Sequence, residues 1–181
     1  MTHAGRGAAA WLLAASLLSA CASVGQRAPA GAETISGKLS VRVDASVNSA
    51  ARSESGNFEL KGTPDEGQLN LSSPLGTVLA QARWSGRQAW LTTPQGETAY
   101  PDLEALTHEM LGERLPVAAL FDWLRGKPWT GAVSQANAPT AGPGFAQLGW
   151  AVDLARFDEG WVVARRNQAP AVTVRARVDK P

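Results

Sequence analysis

Cysteine is nearly absent: Cys21 stands alone among 181 residues. A single cysteine excludes an intramolecular disulfide and leaves no thiolate pair for a metal site. Histidine is almost as scarce. His3 and His108 are the whole complement, and His108-Glu109 lacks the second histidine of a zinc-protease pattern. No metal or cofactor site follows, and His108 reads as an exposed helix residue. Gly-x-Ser-x-Gly elbows and glycine-rich phosphate loops are missing as well. The carboxylates of Asp65-Glu66 and Asp158-Glu159 fall in turns, where solvated side chains are expected. A glycosidase-like pair, defined only by separation in space, is the one catalytic option left open; no enzyme is expected. One-sided charge is also lacking. Without Arg6, the sole charged side chain of residues 1–20, basic and acidic side chains balance at 16 each. Such a chain has no basic face for nucleic acid and little hold on anionic lipid by charge alone. Finally, the apolar stretch Ala8–Ala20 is too short to cross a bilayer, which takes roughly 20 apolar residues.

That stretch has another use. Met1–Gly7 is short and carries Arg6, as a signal n-region does, and Ala8–Ala20 suits an h-region. Leu18-Ser19-Ala20-Cys21 then resembles the lipobox of bacterial lipoproteins. The resemblance implies removal of residues 1–20 as a signal peptide and attachment of S-diacylglycerol and an N-acyl chain to Cys21. An ordinary secretory signal with an incidental cysteine is the alternative. Each buried methylene contributes about 0.8 kcal/mol, so two or more chains anchor firmly. Ala22 follows the cysteine in place of the aspartate that retains enterobacterial lipoproteins in the inner membrane, which favours the periplasmic face of the outer membrane.

Residues 21–33 are small, polar and proline-containing, a flexible tether, and 34–181 form one domain. From Thr34 the apolar pattern has period two: Ile35, Gly37, Leu39, Val41 and Val43 alternate with Ser36, Lys38, Ser40 and Arg42. Further short strands are expected at Ser53–Lys61, Gln68–Ser72, Thr77–Trp84 and Gln88–Thr93, joined by tight turns. Two helices interrupt the series. Asp102 caps one that Gly112 stops, and Pro116 opens another bearing Val117, Leu120, Phe121 and Leu124 on one stripe. Trp129–Gly144 reads as an ordered turn leading into a mobile loop. Strands resume at Gln147–Leu154, Trp161–Arg166 and Ala171–Val178. A sheet of this many strands curls, and two amphipathic helices can cover its concave side. The expected fold is therefore mainly β with helices: an unclosed antiparallel barrel, capped by the helices, enclosing an apolar cavity.

Two features stand out against that frame. Six tryptophans remain beyond the signal, and Trp84, Trp90, Trp123 and Trp150, with Leu120, are candidates for lining the cavity. The same side chains also suit a plain core. Secondly, Pro74-Leu75-Gly76 sets a leucine at a turn tip where polar residues are usual. Either it folds back on the sheet or it projects into a partner or a membrane.

These residues, in this order, resemble the LolB family of outer-membrane lipoprotein receptors. The likeness rests on the lipobox, on Leu69–Gly76, on Leu115-Pro116-Val117-Ala118-Ala119-Leu120-Phe121-Asp122-Trp123-Leu124-Arg125-Gly126, and on Trp150–Leu154. It implies an unclosed barrel with an apolar cavity for acyl chains. It also implies that client lipoproteins arrive from the periplasmic carrier LolA and pass into outer-membrane lipid, with no nucleotide or other cofactor. Leu75 then matches the apolar residue of a protruding loop that enters the membrane, with Pro74 and Gly76 shaping the loop, and Cys21 is the anchor. Arg165-Arg166 and Arg175 are candidates for carrier docking, although a solvated sheet face suits them too. A monomer is expected. The alternative is a lipid-anchored scaffold of envelope assembly that has no lipid cavity.

Overall fold

The computed structural model describes residues 34–47 and 49–180. The signal peptide, Cys21 and the tether 21–33 lie outside the described residues. The chain runs β1 (Thr34–Val43), β2 (Arg52–Gly62), β3 (Glu66–Ser72), β4 (Val78–Ser85), β5 (Gln88–Thr93), β6 (Gly96–Tyr100), α1 (Leu103–Leu111), α2 (Val117–Trp123), β7 (Ser134–Ala136), β8 (Gly144–Gln147), β9 (Trp150–Asp153), β10 (Trp161–Arg166) and β11 (Val172–Val178).

All eleven strands belong to one antiparallel sheet, ordered β6-β5-β4-β3-β2-β1-β11-β10-β9-β8-β7. The first and last strands of the domain pair directly, Leu39 opposite Ala176 and Val41 opposite Val174. Strands β6 and β7 are left as edges, so the barrel is not closed. Period-two alternation puts Ile35, Val41 and Val43 of β1 and Val172, Val174 and Ala176 of β11 on the concave face, all buried. The helices fill that face. Asp102 caps α1 by accepting from the Ala105 N–H at 2.6 Å, and Gly112 ends it in the left-handed region.

Two apolar lobes result. One gathers Trp123, Phe145, Trp150 and Val152 under α2 and the C-terminal strands. The other gathers Phe58, Leu60, Trp84, Leu106 and Phe121 under α1 and the N-terminal strands. Leu39, Met110 and Val117 are half-buried and touch both lobes, forming a seam between them.

The second half departs from the sequence reading in two places. Gln147–Leu154 is not one strand but a hairpin, turning at Leu148-Gly149, where both φ are positive (54° and 76°). Leucine is an unusual first residue for such a turn, which is why the pattern read as continuous strand. The Trp129–Gly144 stretch is ordered, holding β7 and a short 3₁₀ turn at Pro139–Ala141. Gln147 fixes it. This is the one buried polar side chain among the described residues. Its Oε1 accepts from Trp123 Nε1 (2.8 Å) and the Trp129 N–H (2.9 Å), while Nε2 donates to the carbonyls of Trp129 (2.7 Å) and Ala132 (2.8 Å). Every polar group of the amide is satisfied, as burial demands.

Candidate functional site

The β3–β4 hairpin is built to hold Leu75 away from the molecule. Its base closes through two backbone bonds, Ser73 N–H to the Thr77 carbonyl (2.8 Å) and Gly76 N–H to the Ser73 carbonyl (2.9 Å). Ser73 Oγ accepts from the Thr77 N–H at 3.2 Å, and Asn57 Nδ2 on β2 donates to the Ser73 carbonyl at 3.1 Å. Gly76 turns the chain at φ 85°, a conformation that disfavours any residue with a side chain. Pro74 fixes its own φ and donates nothing. The outcome is an anchored hairpin whose leucine is 95% exposed. It does not fold back on the sheet. Val78 and Leu79, at the start of β4, are also more than a third exposed, and the register shifts there against Leu71 and Ser72. The Ser72 carbonyl lies 2.6 Å from where a Gly56 Cβ would sit, so a side chain at Gly56 would clash with the base of the hairpin. Leu79 Cδ1 lies 4.0 Å from the same point, above the residue that faces Leu39 of the seam.

The tryptophans divide. Trp84, Trp123 and Trp150 are almost wholly buried among other side chains. Trp84 meets Phe121 edge-on at 5.6 Å, and Trp123 lies 6.0 Å from Trp150 and 6.4 Å from Phe145. As packed here, they fill space. Leu120 is half-buried against the same lobe. Trp90 corrects the sequence reading: its neighbours Ala89 and Leu91 point inward, so alternation turns it to the convex face. There Arg83 stacks over its ring at 5.7 Å. The partly open interior surface is the seam, not the tryptophans.

Alternation also splits the Arg165-Arg166 pair. Arg165 faces outward with Arg175, within 3.6 Å of Asp153, beside a convex-face cleft of about 300 Å³. Arg166 turns inward, pairs with Glu113 at 2.6 Å and stacks over Trp150 at 5.7 Å. A guanidinium so enclosed ties the helix connection to the sheet and is not free to meet a carrier. A second cleft, about 400 Å³, lies on the same convex face among Lys38, Asn57, Glu59 and Asn70.

The chain thus combines a barrel left open, two capping helices and a leucine held clear of the fold. Residues 34–180 match the family described as outer membrane lipoprotein LolB. The chain belongs to the LolB family. Among relatives named outer-membrane lipoprotein LolB, that of Bordetella petrii is 32% identical, covering 94% of this chain and 92% of its own length. That of Cupriavidus pinatubonensis is 34% identical (90% and 80%), and that of Dechloromonas aromatica 32% (82% and 80%). The family places the protein in the outer membrane as a lipid-anchored protein. Among the described residues no helix is long and apolar enough to cross a membrane.

Sequence reasoning missed Gln147, since a lone glutamine in a strand carries no pattern. It also passes over Val47 in the connection between the first two strands, Val133 in the stretch expected to lead into a mobile loop, and Leu148 within an expected strand. An aliphatic residue flanked by turn formers, as at Leu75, was the available signal.

Proposed function

We propose that this LolB-family protein receives lipoproteins from LolA and passes them into the outer membrane, taking acyl chains against the apolar surface beneath its helices. The observation that carries the reading is Leu75, fully presented on a hairpin whose base is fixed by four hydrogen bonds. An exposed leucine in water gains only where apolar surroundings await it, and a bilayer supplies them. Acyl chains would enter at the seam of Leu39, Met110 and Val117, where the two lobes meet incompletely. The helices are tied to the sheet near their ends, by Arg52 to the Met110 carbonyl, Arg166 to Glu113 and Trp123 to Gln147, and parting them along the seam would admit a chain. No bond is made or broken, so the direction of transfer follows from relative affinity, carrier to receptor to bilayer. Cys21, acylated, would keep the domain at the target membrane.

Leu75→Glu is the direct test. It should accept lipoprotein from the carrier as the parent does and release it poorly into liposomes. Because the side chain touches nothing in the fold, stability should stay within about 0.5 kcal/mol. Normal insertion by the variant would refute the role of the hairpin. A scaffold without a lipid pocket is favoured by one observation, the close packing around Trp123. Uptake of a fluorescent fatty-acid analogue separates the two readings: the scaffold takes up none.

A further inference from the structure

In an antiparallel sheet the strand connections alternate between two rims. The β1–β2, β3–β4, β5–β6, β8–β9 and β10–β11 turns lie on one, together with the segment entering β7, because Ser134 pairs with Gln147. The N-terminus of β1 and the C-terminus of β11 lie on the other. The large apolar residues that are exposed among the described residues are Val47, Leu75, Val78, Leu79, Val133 and Leu148, and all six fall on the first rim. Val47 (102% exposed) tips the β1–β2 connection, Val133 (89%) leads into β7, and Leu148 (46%) tips the β8–β9 turn. The opposite rim turns on Thr63-Pro64-Asp65 and Ser85-Gly86-Arg87, with no exposed large aliphatic residue among those described.

From this distribution we infer that the whole rim, not Leu75 alone, is a bilayer-contacting surface, with Val47, Val133 and Leu148 entering the interface beside it. The inference rests on the membrane-entry reading of Leu75 and extends it to a multi-point footing. In sheet order the Leu75 and Val47 tips are neighbours, the polar Asn167-Gln168 tip follows, and Val133 and Leu148 then flank the Ser134–Gln147 pair, with polar Pro94-Gln95 at the β6 edge. The two apolar pairs are thus parted by a polar tip and spread along the rim instead of gathering into one groove, and a fluid lipid surface accommodates points spread along an edge. Leu148 adds a second argument. It occupies the left-handed region, at φ 54°, where asparagine or glycine would be unstrained. Strain held by an exposed aliphatic side chain serves no packing purpose and is common at functional positions.

The chain outside the described residues is compatible with this footing. The thirteen residues 21–33 join β1 at the polar rim. Fully extended they reach about 43–47 Å, against about 33 Å for the ten-residue strand they must pass. An anchor at Cys21 and the apolar rim can therefore engage one bilayer.

The test uses the full-length acylated protein in vesicles of phosphatidylethanolamine with a minor share of phosphatidylglycerol. Single cysteines at Val47→Cys, Leu75→Cys, Val133→Cys and Leu148→Cys carry a polarity-sensitive fluorophore, with Arg87→Cys as the opposite-rim control and the unsubstituted protein as the blank. Lipid-borne nitroxide should quench all four rim labels several-fold more than the control. Quenching at position 75 with solvent-like labels at 47, 133 and 148 would overturn the rim and leave the single-loop reading intact. No quenching at any position would overturn both. Shielding that appears only when the carrier is added would make the rim a protein interface and refute the bilayer assignment. Leu148→Asn guards against misfolding by a label, since asparagine suits the turn; it should fold at least as stably and insert lipoprotein less efficiently. Unchanged insertion by that variant would count against the rim.

Discussion

Strand β3 ends in two hairpins of similar size, each containing a proline, and they are chemically opposite. At one end Thr63-Pro64-Asp65 is bound into its surroundings: the Thr63 carbonyl accepts from Trp84 Nε1 (3.1 Å), and the Asp65 carbonyl accepts from the Gly86 N–H of the next turn (2.9 Å). At the other end the bonds stop at the base, and Leu75 stands clear. One rim is knitted together and polar; the other presents aliphatic tips on separately anchored hairpins. At these two tips stability and function separate, since Leu75 serves the second while its side chain contributes nothing to the first.

The apolar rim has one interior support that is polar. Gln147 holds the segment leading to Val133 and, through Trp123, the end of α2. Gln147→Ala strands the indole N–H, the Trp129 N–H and two carbonyls in a buried place. Left-over polar groups of this kind cost 1–3 kcal/mol each before relaxation, so a loss of about 3–5 kcal/mol is expected in urea denaturation. A loss under about 1 kcal/mol would mean that water enters freely at the apolar rim. Gly76→Ala comes next and acts on the tip alone. Nothing lies within 4 Å of the added Cβ, so the whole effect is backbone strain at φ 85°, roughly 1–2 kcal/mol. Liposome insertion should fall with it, because the hairpin that aims Leu75 would relax. Full insertion at reduced stability would show that the leucine matters and its aim does not.

Much of this was legible beforehand where a local pattern and a tertiary role coincide. The alternation of β1 and β11 specified both strands and their inner faces, Asp102 and Gly112 bounded α1, and a leucine between proline and glycine marked the projecting tip. Legibility failed where the two diverge. Trp90 sits between Ala89 and Leu91, so three apolar residues in a row left its face undetermined until pairing with Arg83 turned it outward. The Arg165-Arg166 doublet looked like one basic feature, yet successive strand residues face opposite ways. Leu148 is followed by Gly149, but a single glycine also suits a bulge within a strand, so the Gln147–Leu154 pattern fits a strand as well as a hairpin. Val47 and Val133 lacked meaning singly. Only the sheet order puts them on the rim that Leu75 occupies.

Part of that same rim is not apolar, and a substitution there should alter stability only slightly. Beside the polar tip Pro94-Gln95, Glu97 accepts from Arg83 Nη2 (2.7 Å) and Thr92 Oγ1 (3.0 Å) on the convex face. The Arg83 hydrogen bond, helped by Thr92, holds its carboxyl below the ordinary glutamate value of about 4.3. A carboxylate whose folded pKa is depressed contributes stability above the unfolded value and loses it as pH falls through the folded one. Glu97→Gln should therefore lower the melting temperature slightly at neutral pH, and parent and variant should converge as pH falls through the depressed folded value. Because the group is exposed, added salt should shrink the difference further. Lipoprotein insertion should not change, since this stretch supports the edge of the sheet and presents nothing apolar. An insertion defect as large as that of Leu75→Glu would mean that the edge strand β6, and not the aliphatic tips, meets the membrane.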